Sequence, residues 1–256
     1  LAVDRRHPVV PPQVVIAQAI AIAALPTFSA QVAHGKLNEM SSSLASTLRG
    51  VILLALPASL GLIILRKPVI ELLFQRGAFS ADSTELVAWA LLWYTAGLLG
   101  HSVVEILSRA FYALHDTKTP VLISIFAMGL NIAFSLVFPN LFNRLGWFPF
   151  GGLALANSLA TAIEMVFLWV IMRRRLGGLH GSFILDGWLK SALAGFLMCL
   201  VLWGWLLITH GRSPWLIGIG GILIGGTVFS LLVWFLRVQE LMVVVQAMRA
   251  RLKRVH

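Results

Sequence analysis

Long apolar runs with no charged residue in them, such as residues 51–65 and 121–138, limit what this chain can fold into more than any other feature. With 59% of 256 residues hydrophobic and only 12% charged, too little polar surface exists to coat a water-soluble core of this size. A bilayer removes that problem. Its hydrocarbon core of about 30 Å is crossed by helices of roughly 17 to 25 residues, which satisfy their backbone polar groups internally. Seven segments qualify, at about residues 13–28, 49–65, 82–114, 120–138, 151–172, 188–208 and 214–236. The fold class is therefore all-α, a polytopic membrane helix bundle of about seven transmembrane helices.

The connections carry their own signals. The polar stretch 31–47 reads as a surface helix before the second span. Residues 68–79, PVIELLFQRGAF, are too short to cross and read as a re-entrant or interfacial turn ended by Gly77. Asp82 with Glu85 three residues later forms a capping-box pattern. The helix it opens meets no proline until residue 120, so it spans roughly 50 Å and must tilt or project into water. Pro139, Asn140 and Asn143 mark a loop, and the basic residues 237–256 read as an amphipathic surface helix.

A net charge of +10 raises the question of nucleic acid, but the basic residues lie between apolar runs and form no polar module. Anionic membrane lipid is the better partner, and no nucleic acid is expected. One side of the predicted layout collects Lys36, Arg49, Arg109, Lys118, Arg173, Arg174, Arg175, Lys190 and the basic tail, most of the 20 Lys and Arg. By the positive-inside tendency that side and the carboxy terminus are cytoplasmic, and the amino end is external. An external start at Leu1, without Met or a signal layout, predicts an odd number of preceding helices. Trp89, Trp147, Trp188, Trp215 and Trp234 fall near span ends, where indole rings favour the interface.

Polar residues inside spans are costly and mark either helix contacts or a cavity. Glu164, Glu105, His101 and Asn131 pass this filter. Glu105 and Arg109 stand in the acid-first i, i+4 order of an intrahelical ion pair, so a structural pair and a gate are both open. Glu164 has no basic residue within one turn, and its partner must come from another helix. Asn131 and Asn157 fit interhelical hydrogen bonds better than substrate contacts. Gly221 and Gly225 form a G-x-x-x-G spacing that favours packing within the chain. No P-loop, H-E-x-x-H, G-x-S-x-G or paired-Cys motif is present, Cys199 is alone, and the seven His are scattered. Neither an enzyme, a metal site nor a cofactor is predicted.

Three stretches in order, AIAALPTFSAQVAHGKL, LPASLGLIILRKPVIELLFQRGAF, and SRAFYALHDTKTP followed by GGLALANSLATAIEMVFLWVIMRRRLG, resemble the MurJ/MviN lipid II flippase family. The resemblance implies a two-lobed, fourteen-helix transporter of the bacterial cytoplasmic membrane. Residues 1–176 would be its carboxy lobe, residues 177–256 two additional helices with a basic tail, and an amino-terminal lobe would complete it. The implied substrate is a lipid-linked peptidoglycan precursor moved by alternating access. Arg5 and Arg6 lie nearest a basic cavity position of the family. Glu105 stands where the family often carries Lys, so a cationic role does not transfer there. A polysaccharide or multidrug exporter of the same superfamily, or a membrane scaffold, are the other readings.

Overall fold

The computed structural model describes residues 24–74 and 80–236, and all of its regular structure is helical. After a helical segment at 24–33 come α1 (Leu37–Phe74), α2 (Ala81–Ala96), α3 (Leu98–Ala113), α4 (Lys118–Arg144), α5 (Pro149–Arg175), α6 (Gly181–Ile208) and α7 (Pro214–Phe235). Among the described residues α1, α4, α5, α6 and α7 are long and apolar enough to cross a membrane, and α2 with α3 forms a sixth, broken span. The first predicted span and the basic tail fall wholly or mostly outside the described residues. Large side chains on the outside are apolar, Leu122 66% and Leu136 70% exposed for example, as expected where lipid is the solvent.

Helix α1 merges elements that the sequence separated. Its 38 residues run through the predicted surface helix, the second span and Pro68 without interruption, a length of about 57 Å. Pro57 and Pro68 each delete one helical hydrogen bond without ending the helix. The predicted interfacial turn is thus helical up to Phe74, and residues 75–79 lie outside the described part. Pro139 is likewise inside a helix. The α4 end shifts to Leu145, where Gly146 takes a left-handed φ of +72° and the Trp147 N–H donates to the Phe142 carbonyl at 2.9 Å.

The predicted single helix from 82 to 114 is instead bent by 42° at Gly97. Its amino cap is Ser80, whose hydroxyl accepts from the Ser83 N–H, because Glu85 is drawn away to accept from Lys67 Nζ at 2.8 Å. At the bend, neighbours bond the carbonyls that a regular helix would have used itself. Ser59 of α1 donates to the Thr95 carbonyl at 2.7 Å, and Ser158 of α5 donates to that of Trp93 at 2.6 Å. Thr95 also bonds back to the Leu91 carbonyl, a contact that bends helices. Glycine is needed at 97 because a Cβ there would lie 2.6 Å from Ser158 Oγ and 2.8 Å from its Cα.

Two apolar cores flank α1. Toward one end Met40, Leu44 and Leu48 pack with Ile106, Leu107 and Phe111 of α3 and Leu168 and Met172 of α5. Toward the other, Leu53 and Leu65 pack with Met198 and Leu202 of α6 and Phe229 and Val233 of α7. Gly221 lies against Leu65 and Gly225 against Leu202, so the glycine pair packs within the chain. Gly97→Ala is expected to lower stability by about 1–3 kcal/mol through overpacking. Gly226→Ala, which meets nothing within 4 Å, should be neutral or stabilising by up to about 1 kcal/mol. Thermal unfolding in detergent checks the pair, and equal shifts would show that Gly97 is not a contact position.

Candidate functional site

Helices α3, α4 and α5 each carry polar residues at spacings of three, four or seven, which puts them on one face of each helix. On α3 these are His101, Glu105 and Arg109; on α4 Ser124, Asn131 and Ser135; on α5 Asn157, Thr161 and Glu164. The three faces meet. Asn157 Nδ2 lies 3.1 Å and Thr161 Oγ1 3.3 Å from His101 Nε2. Asn131 Nδ2 donates to Asn157 Oδ1 at 3.4 Å, and Ser135 Oγ donates to Asn131 Oδ1 at 3.2 Å. One turn on, Ser124 Oγ donates to Glu164 Oε1 at 2.5 Å. A hydrogen-bonded chain from Ser135 through Asn131, Asn157 and His101 to Thr161 therefore crosses three transmembrane helices, with the Ser124–Glu164 pair beside it.

The tract is only partly enclosed. His101, Asn131, Asn157 and Glu164 are half-buried and Ser124 is exposed, so the polar face opens outward along α4 and α5. Glu105 and Arg109 sit on the same face of α3, Arg109 donating to Glu105 Oε1 at 2.7 Å and 3.2 Å through two nitrogens. Their side chains are 30% and 28% exposed. This pair leaves no net charge, so the tract offers donors and acceptors rather than a cationic cradle. Arg5 and Arg6 lie outside the described residues. Among the described residues no group of three or more metal-ligating side chains converges.

Sequence reasoning singled out Asn131, Asn157, Glu164 and His101 separately and did not join them. It missed Ser135 and Thr161, which extend the chain at its two ends, and Ser124, which pairs with Glu164. The signal that would have found them is the spacing itself: 124, 131 and 135 on one helix, 157, 161 and 164 on the other.

The HDTKTP stretch forms the turn between α3 and α4. His115 adopts a left-handed φ of +58°, and the Asp116 N–H donates to the Phe111 carbonyl at 3.0 Å. Asp116 then caps α4, its carboxylate accepting from the Thr119 hydroxyl at 2.6 Å and the Thr119 N–H at 3.0 Å. Arg175 at the end of α5 pairs with it at 2.5 Å while lying over the Phe111 ring. The Thr119 hydroxyl, then its N–H, then the Arg175 charge hold the Asp116 carboxyl below the usual carboxylate range.

Residues 11–219 match the family model described as lipid II flippase MurJ. The chain belongs to the MurJ family. Two curated relatives bear the name "Probable lipid II flippase MurJ". That of Vibrio cholerae is 34% identical over 152 residues, 59% of this chain and 28% of its own length. That of Rhizobium tropici is 31% identical over 216 residues, 83% of this chain and 38% of its own. The lipid II flippase MurJ solved in an inward closed conformation superposes with a TM-score of 0.69 at 23% identity, covering 88% of this chain and 45% of that one. The chain thus spans about a third of the length of the curated relatives it matches, and shares the helical fold of the solved MurJ over nearly all of its own.

Two outcomes follow from this geometry. Arg109→Ala should destabilise the chain by about 1 kcal/mol by stranding a carboxylate at a half-buried site, and adding Glu105→Gln should recover most of that loss. A double mutant no better than the single would refute mutual neutralisation. Because the Asp116 pKa is depressed in the folded state, its contribution is present above the ordinary carboxylate range and lost as pH falls through the lower folded value. Asp116→Ala should therefore lower the thermal midpoint at neutral pH and converge with wild type in acid.

Proposed function

We propose that this chain forms the carboxy lobe of an alternating-access transporter that moves the lipid-linked peptidoglycan precursor, lipid II, across the cytoplasmic membrane. The observation that carries the reading is the half-open polar tract of α3, α4 and α5, held at membrane depth in a chain of the MurJ family. A continuous polar face on otherwise lipid-exposed helices has a cost that a water-filled path or a polar passenger offsets. Glu164 and Asn131 are the residues we assign to the cavity wall, with Asn157 positioned between Asn131 and His101. Glu105 and Arg109 serve as a structural pair at its margin.

In this arrangement residues 1–176 make the lobe and residues 177–256 the two additional helices and tail. The charge of the connections supports a cytoplasmic carboxy terminus, with Arg173 and Arg174 against anionic lipid. An amino-terminal lobe of the same kind supplies the facing wall and most of the cationic groups for a diphosphate. The role is movement of an intact molecule, which requires no nucleophile and no cofactor.

The test joins this chain behind the amino-terminal lobe of a family member in cells depleted of their own flippase. Restored appearance of precursor on the outer leaflet is expected for the joined protein and not for either part alone; rescue by this chain by itself would sink the half-transporter reading. Glu164→Gln and Asn131→Ala in the joined protein should each reduce delivery by about tenfold, the worth of one or two hydrogen bonds in a desolvated site. Thr227→Ala, on the exposed side of α7, should leave it unchanged.

A further inference from the structure

A cavity of about 400 Å³ opens where the last turns of α1 meet the turn between α6 and α7, on helices that take no part in the polar tract. Ile64, Arg66, Lys67, Glu71, Trp203 and His210 line it. Its charges are not settled among themselves. Lys67 gives one proton to Glu85 at 2.8 Å and keeps two. Arg66 donates to the Ile63 carbonyl at 2.7 Å, and among the described residues no carboxylate pairs with it. Glu71, half-buried, has neither an ion-pair nor a hydrogen-bond partner among them. Arg66 and Glu71 are five positions apart on one helix and do not share a face, while Lys67, four positions before Glu71 on the same face, gives its ion pair to Glu85 instead. Pro68 adds one more acceptor, because it lacks the N–H that would have bonded the Ile64 carbonyl.

The cavity therefore presents donors of positive charge next to two acceptors. Arg66 and Lys67, with the helix ends at Ile208 and Pro214, place it at the border between hydrocarbon and headgroups, and Trp203, 58% exposed, lines its deeper side. A zwitterion that carries both charges on one short frame satisfies both sides together. We propose that this cavity binds the headgroup of an aminophospholipid, its phosphate on Arg66 and Lys67 and its primary ammonium on Glu71 and the Ile64 carbonyl. The Trp203 face lies beside the ammonium. Leu200 and Leu207, both exposed on α6, continue toward the hydrocarbon where the acyl chains run. A purely anionic headgroup meets Glu71 as a like charge. A quaternary ammonium has no N–H for Glu71 or the carbonyl to accept.

The experiment exposes the purified full chain, in neutral detergent, to an equimolar mixture of phosphatidylethanolamine, phosphatidylglycerol and phosphatidylcholine, and counts retained lipids by native mass spectrometry. Phosphatidylethanolamine is expected in about three- to fivefold excess over each of the others, the worth of one partly exposed charge contact. Glu71→Gln should bring it to parity with phosphatidylglycerol, and Arg66→Ala should reduce retention of all three. Soluble phosphoethanolamine should displace little of the bound lipid, whereas displacement by inorganic phosphate alone would mark a simple anion site and overturn the proposal. Equal retention of phosphatidylglycerol by wild type, or an undiminished preference in Glu71→Gln, would overturn it too. The wild-type ratio decides the matter without any variant, and Glu71→Gln keeps the side chain's shape, so its thermal transition should not move.

Discussion

Inside hydrocarbon an unpartnered backbone group costs several kcal/mol, and this requirement governs where the helices of this chain can deviate from regularity. The bend at Gly97 is the clearest case. It exposes carbonyls of residues 93–95, and hydroxyls from two different helices, Ser59 and Ser158, donate to them. The same contact explains why the bend falls at 97. A glycine there lets α5 approach until Ser158 is in reach, and any larger residue would push the donor away from the carbonyls it serves. Side chains on the same helix also bond back, as the buried Thr209 does to the Trp205 carbonyl at 2.6 Å.

Association of the helices follows from the same solvent. Lipid tails are as apolar as leucine, so burying leucine between helices gains little and close packing with polar contacts has to hold the bundle. Helix α1 supplies the packing, with a core on each half of its length. It also carries Arg49, buried to 3%, which donates to the Phe183 carbonyl at 3.2 Å, reaches Asp186 at 3.5 Å and lies over the Phe183 ring, so the start of α6 is fixed against α1 by a charge. Helix α4 is the opposite case. Only Pro120, Ala127 and Phe142 of its 27 residues are buried, and it is held chiefly to α5, through Asn131, Ser124 and ring contacts such as Phe126 with Phe167.

This difference explains what could be read from the chain before its structure. The apolar runs announced the membrane, the helical class and the approximate spans, because hydrophobic length is a property of local sequence. Interruptions were harder. Pro68 and Pro139 suggested breaks and are inside helices, while Gly97 suggested none and is the bend, because the outcome depends on which neighbour supplies a hydrogen bond. Glu85 illustrates the same point at a cap: locally it completes a capping box, but Lys67 on another helix takes it. The Glu105–Arg109 spacing was legible since both ends lie on one helix. The link from His101 through Asn157 to Asn131 was not, since it joins residues 26 and 56 positions apart.

The tract that binds α3, α4 and α5 together is also the polar face assigned to the cavity, and the two roles constrain each other. Side chains that hydrogen-bond one another keep the face stable when nothing occupies it, and can exchange those partners for a polar passenger without leaving a buried group unsatisfied. They cannot, however, supply positive charge. Arg109 is already paired with Glu105 and Glu164 is an acidic residue, so under the proposed function a diphosphate reaching this face meets hydrogen-bond donors but no unpaired guanidinium along it. On that proposal recognition of such a group is divided, with donors on this face orienting the passenger and cations away from the face balancing its charge. That division favours release: a face that binds through exchangeable neutral contacts holds its passenger less tightly than one built on buried ion pairs.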